Sequence, residues 1–478
     1  MKNSRWLSLM VLCAGFLLIV VDMTIVNVAL PSIQRDLGFS QSGLAWVINA
    51  YLIAFAGLLL LAGRLGDLFG RKRVYLIGLG VFTCASLLCG LSFDQRMLIA
   101  ARFIQGVGGA VSSAGILAMI VTLFPRPDEQ AKAFGVFSFV ASAGAAVGLL
   151  AGGLITQAVS WHWIFFVNLP IGVVTAAISG RLLASDRGIG IGEGADVLGA
   201  ALVTAALMVG VYAIVDSSTF GLASPRTLSL GALSLTLLAA FLARQARGSN
   251  PILPLRLFAA RRLSGANLVQ ALMTAAFFGF FFLGSLHLER VLGYGPMEIG
   301  LAFLPVAAVM AVFSIWLSAS LITRFGPVTI LVVGQLVVAA ALAMLGLGPA
   351  RSVYPVHLLA PLAMLGLGGG LSFSALAILA MSDTRPEDAG LASGLLNTTG
   401  QVGGALGLAV LATLAGSRTL NLVQEGAGSA DALAGGYHLA WLVGAGAVLV
   451  SLAVAIWLLR VRSAEQVEEA LPDAEAAA

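Results

Sequence analysis

The sequence predicts an all-α integral membrane protein with fourteen transmembrane helices. Hydrophobic residues make up 59% of the 478 positions and charged residues only 10%, outside the composition of soluble globular chains. Charges, prolines and glycine-rich turns divide the chain into fourteen apolar runs, each close to the roughly 20 residues that cross a bilayer. Lysine and arginine are also distributed unevenly between the turns that separate these runs.

The fourteen predicted spans cover approximately 7–31, 41–62, 74–93, 97–121, 133–157, 162–183, 197–215, 227–243, 263–288, 297–318, 328–348, 354–381, 389–416 and 436–459. With the N-terminus in the cytoplasm, nineteen of the 26 Lys and Arg residues fall in cytoplasmic segments, six in external segments and one, Arg102, inside a helix. Basic residues concentrate on the cytoplasmic side of membranes. Both termini are therefore predicted to be cytoplasmic, and the net charge of +4 reflects this orientation rather than nucleic-acid binding.

The first span carries an acid deep in the hydrocarbon. Asp22 lies nine residues before Pro31, roughly 13 Å from the outer end of the helix. An ionised side chain at that depth costs about 2.5 kcal/mol or more, so Asp22 is predicted to face a cavity or a partner. It is either a proton or cation site or a structural carboxyl that is hydrogen-bonded between helices. Asn27, on the same span, is a candidate substrate contact.

A short turn, residues 63–73, joins the second and third spans and contains four basic residues and one acid. Its glycines allow close backbone approach and positive φ. We predict a cytoplasmic latch in which the Asp67 carboxylate lies near the N-terminus of a helix from the other half of the molecule. Simple capping of the turn is the alternative. The predicted latch residues are Gly63, Asp67, Gly70, Arg71 and Arg73.

The fourth span contains Arg102 and Gln105. Because this helix enters from outside, Arg102 is predicted roughly 8 Å below the outer surface, near the level of Asp22. An ion pair would relieve the desolvation cost of both groups. Side chains lean toward the N-terminus of their helix, which sends these two in opposite directions, so a water bridge is as plausible as contact. Snorkelling of Arg102 to the interface is a third possibility.

Glycine spacing indicates an internal duplication. Gly70 and Gly326 are 256 positions apart, while Gly144 and Gly148 match Gly403 and Gly407 at a spacing of 259. Two six-helix halves separated by two inserted spans explain these matches, and such repeats place a binding site between the halves near the midplane. The predicted helix-packing glycines are Gly144, Gly148, Gly152 and Gly153. The predicted units are an N-terminal six-helix bundle (1–184), a linker with two extra spans (185–262), a C-terminal six-helix bundle (263–462) and a cytoplasmic tail (463–478).

Further candidate substrate contacts come from the C-terminal half. Asn397 and Gln401 are four residues apart and share a helix face, where hydrogen bonding between helices is an equal alternative. Glu289 and Glu298 are predicted at the outer ends of their helices as solvated charges, with Glu298 the better candidate for a second titrating group. The full candidate set is Asp22, Asn27, Gln105, Asn267, Gln270, Phe278, Asn397 and Gln401.

Several segments resemble motifs of the major facilitator superfamily. Residues 63–73 resemble its loop between helices 2 and 3, and residues 98–110 resemble its helix 4 motif. Residues 144–153 are similar to its antiporter motif, with Leu149 in place of a proline. Residues 397–401 resemble its helix 13 segment, except that Gly400 replaces an arginine that is common in that segment. The end of the first span, residues 22–31, resembles the fourteen-helix drug:proton antiporter branch.

The resemblance implies a major-facilitator-type fold of two pseudo-symmetric six-helix bundles plus two inserted helices. It implies a monomeric, proton-coupled antiporter of the bacterial cytoplasmic (inner) membrane that exports lipophilic, cationic or neutral drugs or natural products. Asp22 and Arg102 would carry the proton coupling, with no cofactor and no metal. A metabolite importer of the same fold and a non-transporting membrane sensor are the alternatives. An enzyme is not expected, since the sequence has no Ser/His/Asp set, zinc spacing or phosphate-binding loop.

Overall fold

A computed structural model describes residues 2–124, 126–184, 188, 196–221, 223–248, 251–253, 255–350, 352–382 and 389–460. The described chain is helical, with short connections and no strand in these ranges. Its helices are α1 (Lys2–Leu37), α2 (Gln41–Leu44), α3 (Trp46–Phe69), α4 (Arg71–Gly90), α5 (Gln95–Ser113), α6 (Ile116–Leu123), α7 (Pro127–Ala158), α8 (Trp163–Phe166), α9 (Asn168–Leu182), α10 (Val197–Phe220), α11 (Pro225–Arg247), α12 (Arg261–Arg290), α13 (Pro296–Val312), α14 (Ser318–Phe325), α15 (Pro327–Leu347), α16 (Leu359–Met381), α17 (Ala389–Gln424) and α18 (Ser429–Arg460).

Several predicted spans consist of more than one helical segment. The fourth span breaks between α5 and α6, and the tenth is α13 followed by a π-helical turn, Phe313–Leu317, and α14. A second π-helical turn, Tyr354–Leu358, precedes α16. Within the described ranges, eleven helices are long and apolar enough to cross a membrane, and two shorter apolar helices accompany them. This order of helices is consistent with fourteen spans and confirms the all-α membrane fold.

Two glycine turns mark one face of the helical bundle. Gly70, between α3 and α4, has φ +95°, and Gly326, between α14 and α15, has φ +80°. L side chains rarely adopt either conformation, which explains why both turns require glycine. We call the face with these turns and the start of α1 the basic face. The face where α1 and α12 end, at Leu37 and Arg290, is the opposite face.

The same glycine contacts recur in both halves of the chain. In each half, two glycines one helical turn apart bring a late helix against an early one, α7 against α1 and α17 against α12. The contacts are Gly144 on Leu17 and Val20, Gly148 on Val21 and Thr24, Gly403 on Ala271, and Gly407 on Ala275. One helical turn further on, the two halves differ in which helix carries the glycine. In the N-terminal half, Gly152 of α7 packs on Ile25 of α1, whereas in the C-terminal half Gly279 of α12 packs against Leu411 of α17. Small residues at these positions allow the backbones to approach closely.

Of the two inserted helices, α10 contacts both halves. α10 packs on α3, where Thr204 lies against Gly57, and on α17, where the Thr413 hydroxyl donates to the Ile214 carbonyl at 3.3 Å. α11 packs mainly on α10. Two ion pairs join the ends of this helix pair, Asp196 with Arg244 at 2.5 Å and Asp216 with Arg226 at 2.9 Å. The divisions of the chain at 184 and 262 remain predictions, and the tail, 463–478, lies outside the described residues.

Candidate functional site

Asp22 lies at the centre of a buried polar network in the N-terminal half. Arg102 donates to its Oδ2 at 2.6 Å, while Gln105 and Asn168 donate to its Oδ1 at 2.7 and 3.0 Å. Both members of the ion pair are almost completely enclosed, Asp22 at 0% and Arg102 at 1% exposure. The sequence allows either direct contact or a water bridge between Asp22 and Arg102, and the structure has direct contact. It also has polar partners around Asp22 rather than a cavity.

The guanidinium of Arg102 is held from several sides. It donates to Gln105 Oε1 at 2.6 Å and to the Val47 carbonyl at 2.9 Å, and it lies 4.5 Å from the centre of the Tyr51 ring. The side chain is enclosed by protein, at 1% exposure, so it does not snorkel. Because α1 and α5 run in opposite directions, the side chains of Asp22 and Arg102 lean away from each other along the helix axes. The Arg102 side chain is long enough to span this separation and reach Asp22.

Ser86 extends the network, and neither Ser86 nor Asn168 is among the residues that the sequence predicts for the site. Ser86 accepts from Gln105 at 2.8 Å and donates to the Phe82 carbonyl at 2.9 Å. Asn49 of α3 is also a fully buried polar residue, at 0% exposure, but neither of its amide atoms has a hydrogen-bond partner among the described residues, so it is not part of the network. The sequence contains one signal that could identify such residues, which is a single polar residue inside an apolar span. Buried polar groups need hydrogen-bond partners, so these residues are candidates for a shared network.

The packing of α7 against α1 occurs directly beside Asp22. Gly148 lies against the Thr24 hydroxyl and the Val21 carbonyl, which flank Asp22 along α1. Leu149, the residue that departs from the family proline, is 2% exposed, and its carbonyl faces Gly300 of α13. α7 continues through Leu149 without a break. One helix therefore links the environment of Asp22 to the C-terminal half.

Contacts between the halves also lie at the opposite face. Arg35, near the end of α1, pairs with Glu289, near the end of α12, at 2.9 Å, and Gly153 of α7 packs on Pro296 of α13. The Glu289 side chain is only 14% exposed, so the expectation of a solvated rim charge is wrong for this residue. Glu298 instead caps its own helix by accepting from the Gly295 amide at 2.8 Å. We define Arg35 and Glu289 as the closure pair.

The candidate substrate residues fall into separate places. Gln105 is part of the Asp22 network, whereas Asn27 and Asn267 donate to the carbonyls of Met23 and Leu263 in their own helices at 3.0 and 2.8 Å. On the α12–α17 interface, the Gln270 amide lies against Gly400 and Phe278 lies against Gly404. Gln401 Oε1 is buried without a partner among the described residues, and Asn397 is exposed. No described hydrogen bond joins the C-terminal candidates to Asp22.

The predicted latch residues make contacts within the N-terminal half. Asp67 accepts from Arg71 at 3.0 Å, and both side chains are more than one-third exposed. Next to them, Lys72 donates to the carbonyls of Gly180 and Leu183 at 2.9 and 2.6 Å. A Cβ added to Gly63 would have no neighbouring atom within 4 Å, so this glycine is not required for close packing. Arg73 is exposed. Residues 383–388, immediately before α17, lie outside the described residues, so contact with the other half remains a prediction.

Two repeated helical halves, a buried acid–base network and close contacts between the halves are features of a multi-pass membrane transporter. The chain belongs to the Major Facilitator Superfamily, whose model matches residues 12–408. This membership confirms the family resemblance and identifies a transporter and not an enzyme.

Relatives of this chain carry names that refer to antibiotic resistance and export. The chain is 40% identical over 461 residues to a puromycin resistance protein of Streptomyces alboniger, covering 95% of this chain and 91% of that one. It is 37% identical to a cephamycin export protein of Amycolatopsis lactamdurans, over 86% of this chain and 85% of that one. A tetracenomycin C resistance and export protein of Streptomyces glaucescens is 33% identical, over 87% and 77%.

Solved structures share the fold at low sequence identity. A POT family transporter superposes with a TM-score of 0.71 at 15% identity, over 96% of this chain and 98% of that one. A bacterial homologue of the human lysosomal transporter Spinster, inward-facing and unoccupied, gives a TM-score of 0.68 at 16% identity, over 96% and 98%. These likenesses establish the fold alone.

Proposed function

We propose that this protein is a proton-coupled efflux antiporter that exports lipophilic, singly cationic or neutral drugs or natural products. The observation that carries the proposal is the Asp22–Arg102 pair, buried in the membrane and held by Gln105 and Asn168. Intramembrane ionisable groups are functional by default. The resistance and export names of the relatives support the direction and the substrate class.

The network offers a way for a proton to act on the closure between the halves. A proton on Asp22 removes the counter-charge of Arg102, and an uncompensated buried charge favours rearrangement. Asp22 lies on α1, which also carries the closure residue Arg35 and packs against α7 through Gly148. α7 in turn contacts α13 through Leu149 and Gly300. Protonation would therefore shift the balance between two arrangements of the halves, and substrate binding would shift it back.

The proposal is tested with the full chain in proteoliposomes that hold an acid-inside gradient. Puromycin and a panel of monovalent lipophilic cations are added outside, and an internal pH dye records proton movement. We expect substrate-evoked proton efflux that is absent from protein-free vesicles. Proton and substrate moving in the same direction would instead identify an importer. Folded protein with no response to any compound would count against drug export.

Glu289→Gln is expected to weaken closure at the opposite face. The Arg35–Glu289 contact joins the halves, but the Arg35 side chain is 65% exposed, so the pair contributes only about 0.2–1 kcal/mol. We therefore expect labelling of a cysteine at Met297, next to Gly153, to rise by less than about fivefold. The measurement uses a membrane-impermeant maleimide after replacement of the three native cysteines.

Exchange of the two charges provides the matched control for this experiment. Arg35→Glu combined with Glu289→Arg should return labelling toward the starting rate, whereas each single reversal should raise it. Unchanged labelling in Glu289→Gln and in both reversals would show that the ion pair does not hold the halves together.

Asp67→Asn is expected to increase accessibility at the basic face and to reduce transport, because the latch would lose its only carboxylate. Asp94→Asn is the control, since Asp94 caps α5 by accepting from the Met97 amide at 2.8 Å. Transport rate and basic-face cysteine labelling are measured for both. If Asp67→Asn loses only thermal stability, as expected for loss of a cap, Asp67 is a turn cap and not a latch.

A further inference from the structure

A groove of about 900 Å³ lies between α5 of the N-terminal half and the inserted helix α10. Its walls are two helical stripes with the same i, i+3, i+4, i+7, i+8 spacing, so each helix turns one face toward the space. The lining residues are Arg96, Ile99, Ala100, Phe103 and Ile104 of α5, Ala201, Thr204, Ala205, Met208 and Val209 of α10, and Leu58 of α3.

The groove exists because two helices lean on the same third helix at different places. Gly106 brings α5 against the Tyr51 carbonyl of α3, and Gly57 of α3 receives Thr204 of α10. Leu58, the residue after that glycine, is left between them. Since α10 is one of the two inserted helices, the groove is a product of the insertion.

The groove has one charged end. Arg96 is the second residue of α5, at the opposite face, and is the only ionisable residue among the lining side chains. It is exposed and has no hydrogen bond or ion pair to any residue that the structure describes. From Arg96 to Ile104 the apolar wall extends about 12 Å toward the middle of the membrane.

We propose that this groove is a specific site for one acidic phospholipid of the leaflet at the opposite face. The lipid phosphate binds the Arg96 guanidinium, whose planar fork matches phosphate oxygens. One acyl chain lies between the α5 and α10 stripes and covers their apolar side chains. α10 also contacts α17 through Ile214 and Thr413, so the bound lipid supports a helix that touches both halves.

The test uses the full chain, delipidated in mild detergent, with phosphatidylglycerol and phosphatidylcholine of identical acyl chains as probes. Native mass spectrometry counts bound lipids, and thermal unfolding is followed during titration. We expect one phosphatidylglycerol to bind saturably and raise the melting temperature, with phosphatidylcholine much weaker. Arg96→Gln should weaken phosphatidylglycerol binding about tenfold, as expected for loss of a charge-assisted contact. Ala205→Phe should remove binding by filling the groove.

Two variants outside the groove are the controls. Arg418→Gln changes another exposed arginine near the opposite face, and Ala239→Phe enlarges an exposed position of α11; neither should alter binding. If Ala205→Phe does not fold, Ile104→Trp at a 42% exposed wall position replaces it.

Three results would overturn the proposal. Equal binding of both lipids, or equal loss in Arg96→Gln and Arg418→Gln, would mean annular lipid only. Competition between puromycin and phosphatidylglycerol for the groove would identify a substrate path. These measurements use no gradient, so they are independent of whether the protein is an antiporter.

Discussion

Replacing Asp22 with asparagine is expected to abolish substrate-evoked proton movement and also to destabilise the folded protein. The variant leaves Arg102, at 1% exposure, without its counter-ion. Breaking a buried pair by removing one partner costs about 3–5 kcal/mol. The neutral amide also cannot take up and release a proton. Proton flux in proteoliposomes and the melting temperature in detergent measure the two effects separately.

A double variant separates the two roles of Asp22. Asp22→Asn with Arg102→Gln removes both charges and keeps polar groups beside Gln105 and Asn168, so we expect most of the lost stability to return. Proton coupling should stay absent. Asp36→Asn is the matched control, because Asp36 lies on the same helix and accepts from Trp161 at 2.8 Å at the opposite face; it should retain coupling. Substrate-evoked proton release by the double variant would reduce Asp22 to a structural carboxyl.

Gly148→Leu is expected to prevent close packing of α7 on α1 and to lower both the yield of folded protein and transport. An added Cβ would collide with the Thr24 hydroxyl and come within 3.0 Å of the Val21 carbonyl. Overpacking of a close interface costs typically about 1–3 kcal/mol, occasionally more, and here the displaced segment contains Asp22. Yield on size-exclusion chromatography, melting temperature and proton flux are the measurements.

The duplication supplies the comparison for this variant. Gly407→Leu meets Ala275 at the corresponding contact of the C-terminal half and should destabilise the protein to a similar degree. Gly446→Leu, where nothing lies within 4 Å of an added Cβ, should be close to neutral. If the two variants are equally destabilised, Gly148→Leu should lose more proton coupling than Gly407→Leu. Of the two contacts, only the one at Gly148 is next to Asp22. Wild-type yield and melting temperature in Gly148→Leu would contradict the close packing.

Much of the architecture could be predicted from local patterns. Apolar runs of bilayer length indicate the spans, and their hydropathy does not depend on which helices become neighbours. The spacing of 256 residues pairs Gly70 with Gly326, and the positive φ values of both follow from a local backbone requirement. The cost of burying Asp22 predicts that it faces either a cavity or a partner. Arg102 followed as a candidate because its depth could be estimated from helix rise.

The amino-acid sequence is sufficient to predict a helical membrane protein with a repeated half and one deep carboxylate that faces a cavity or a partner. Which groups come into contact depends on the tertiary structure. Asn168 reaches Asp22 across 146 positions, Glu289 pairs with Arg35 rather than with water, and α10 stands apart from α5 to leave a groove. Spacing along a helix defines its faces, but rotation and crossing of the helices determine where each face points. Those are set by close packing at residues such as Gly148 and Gly57, whose partners lie far away in the chain.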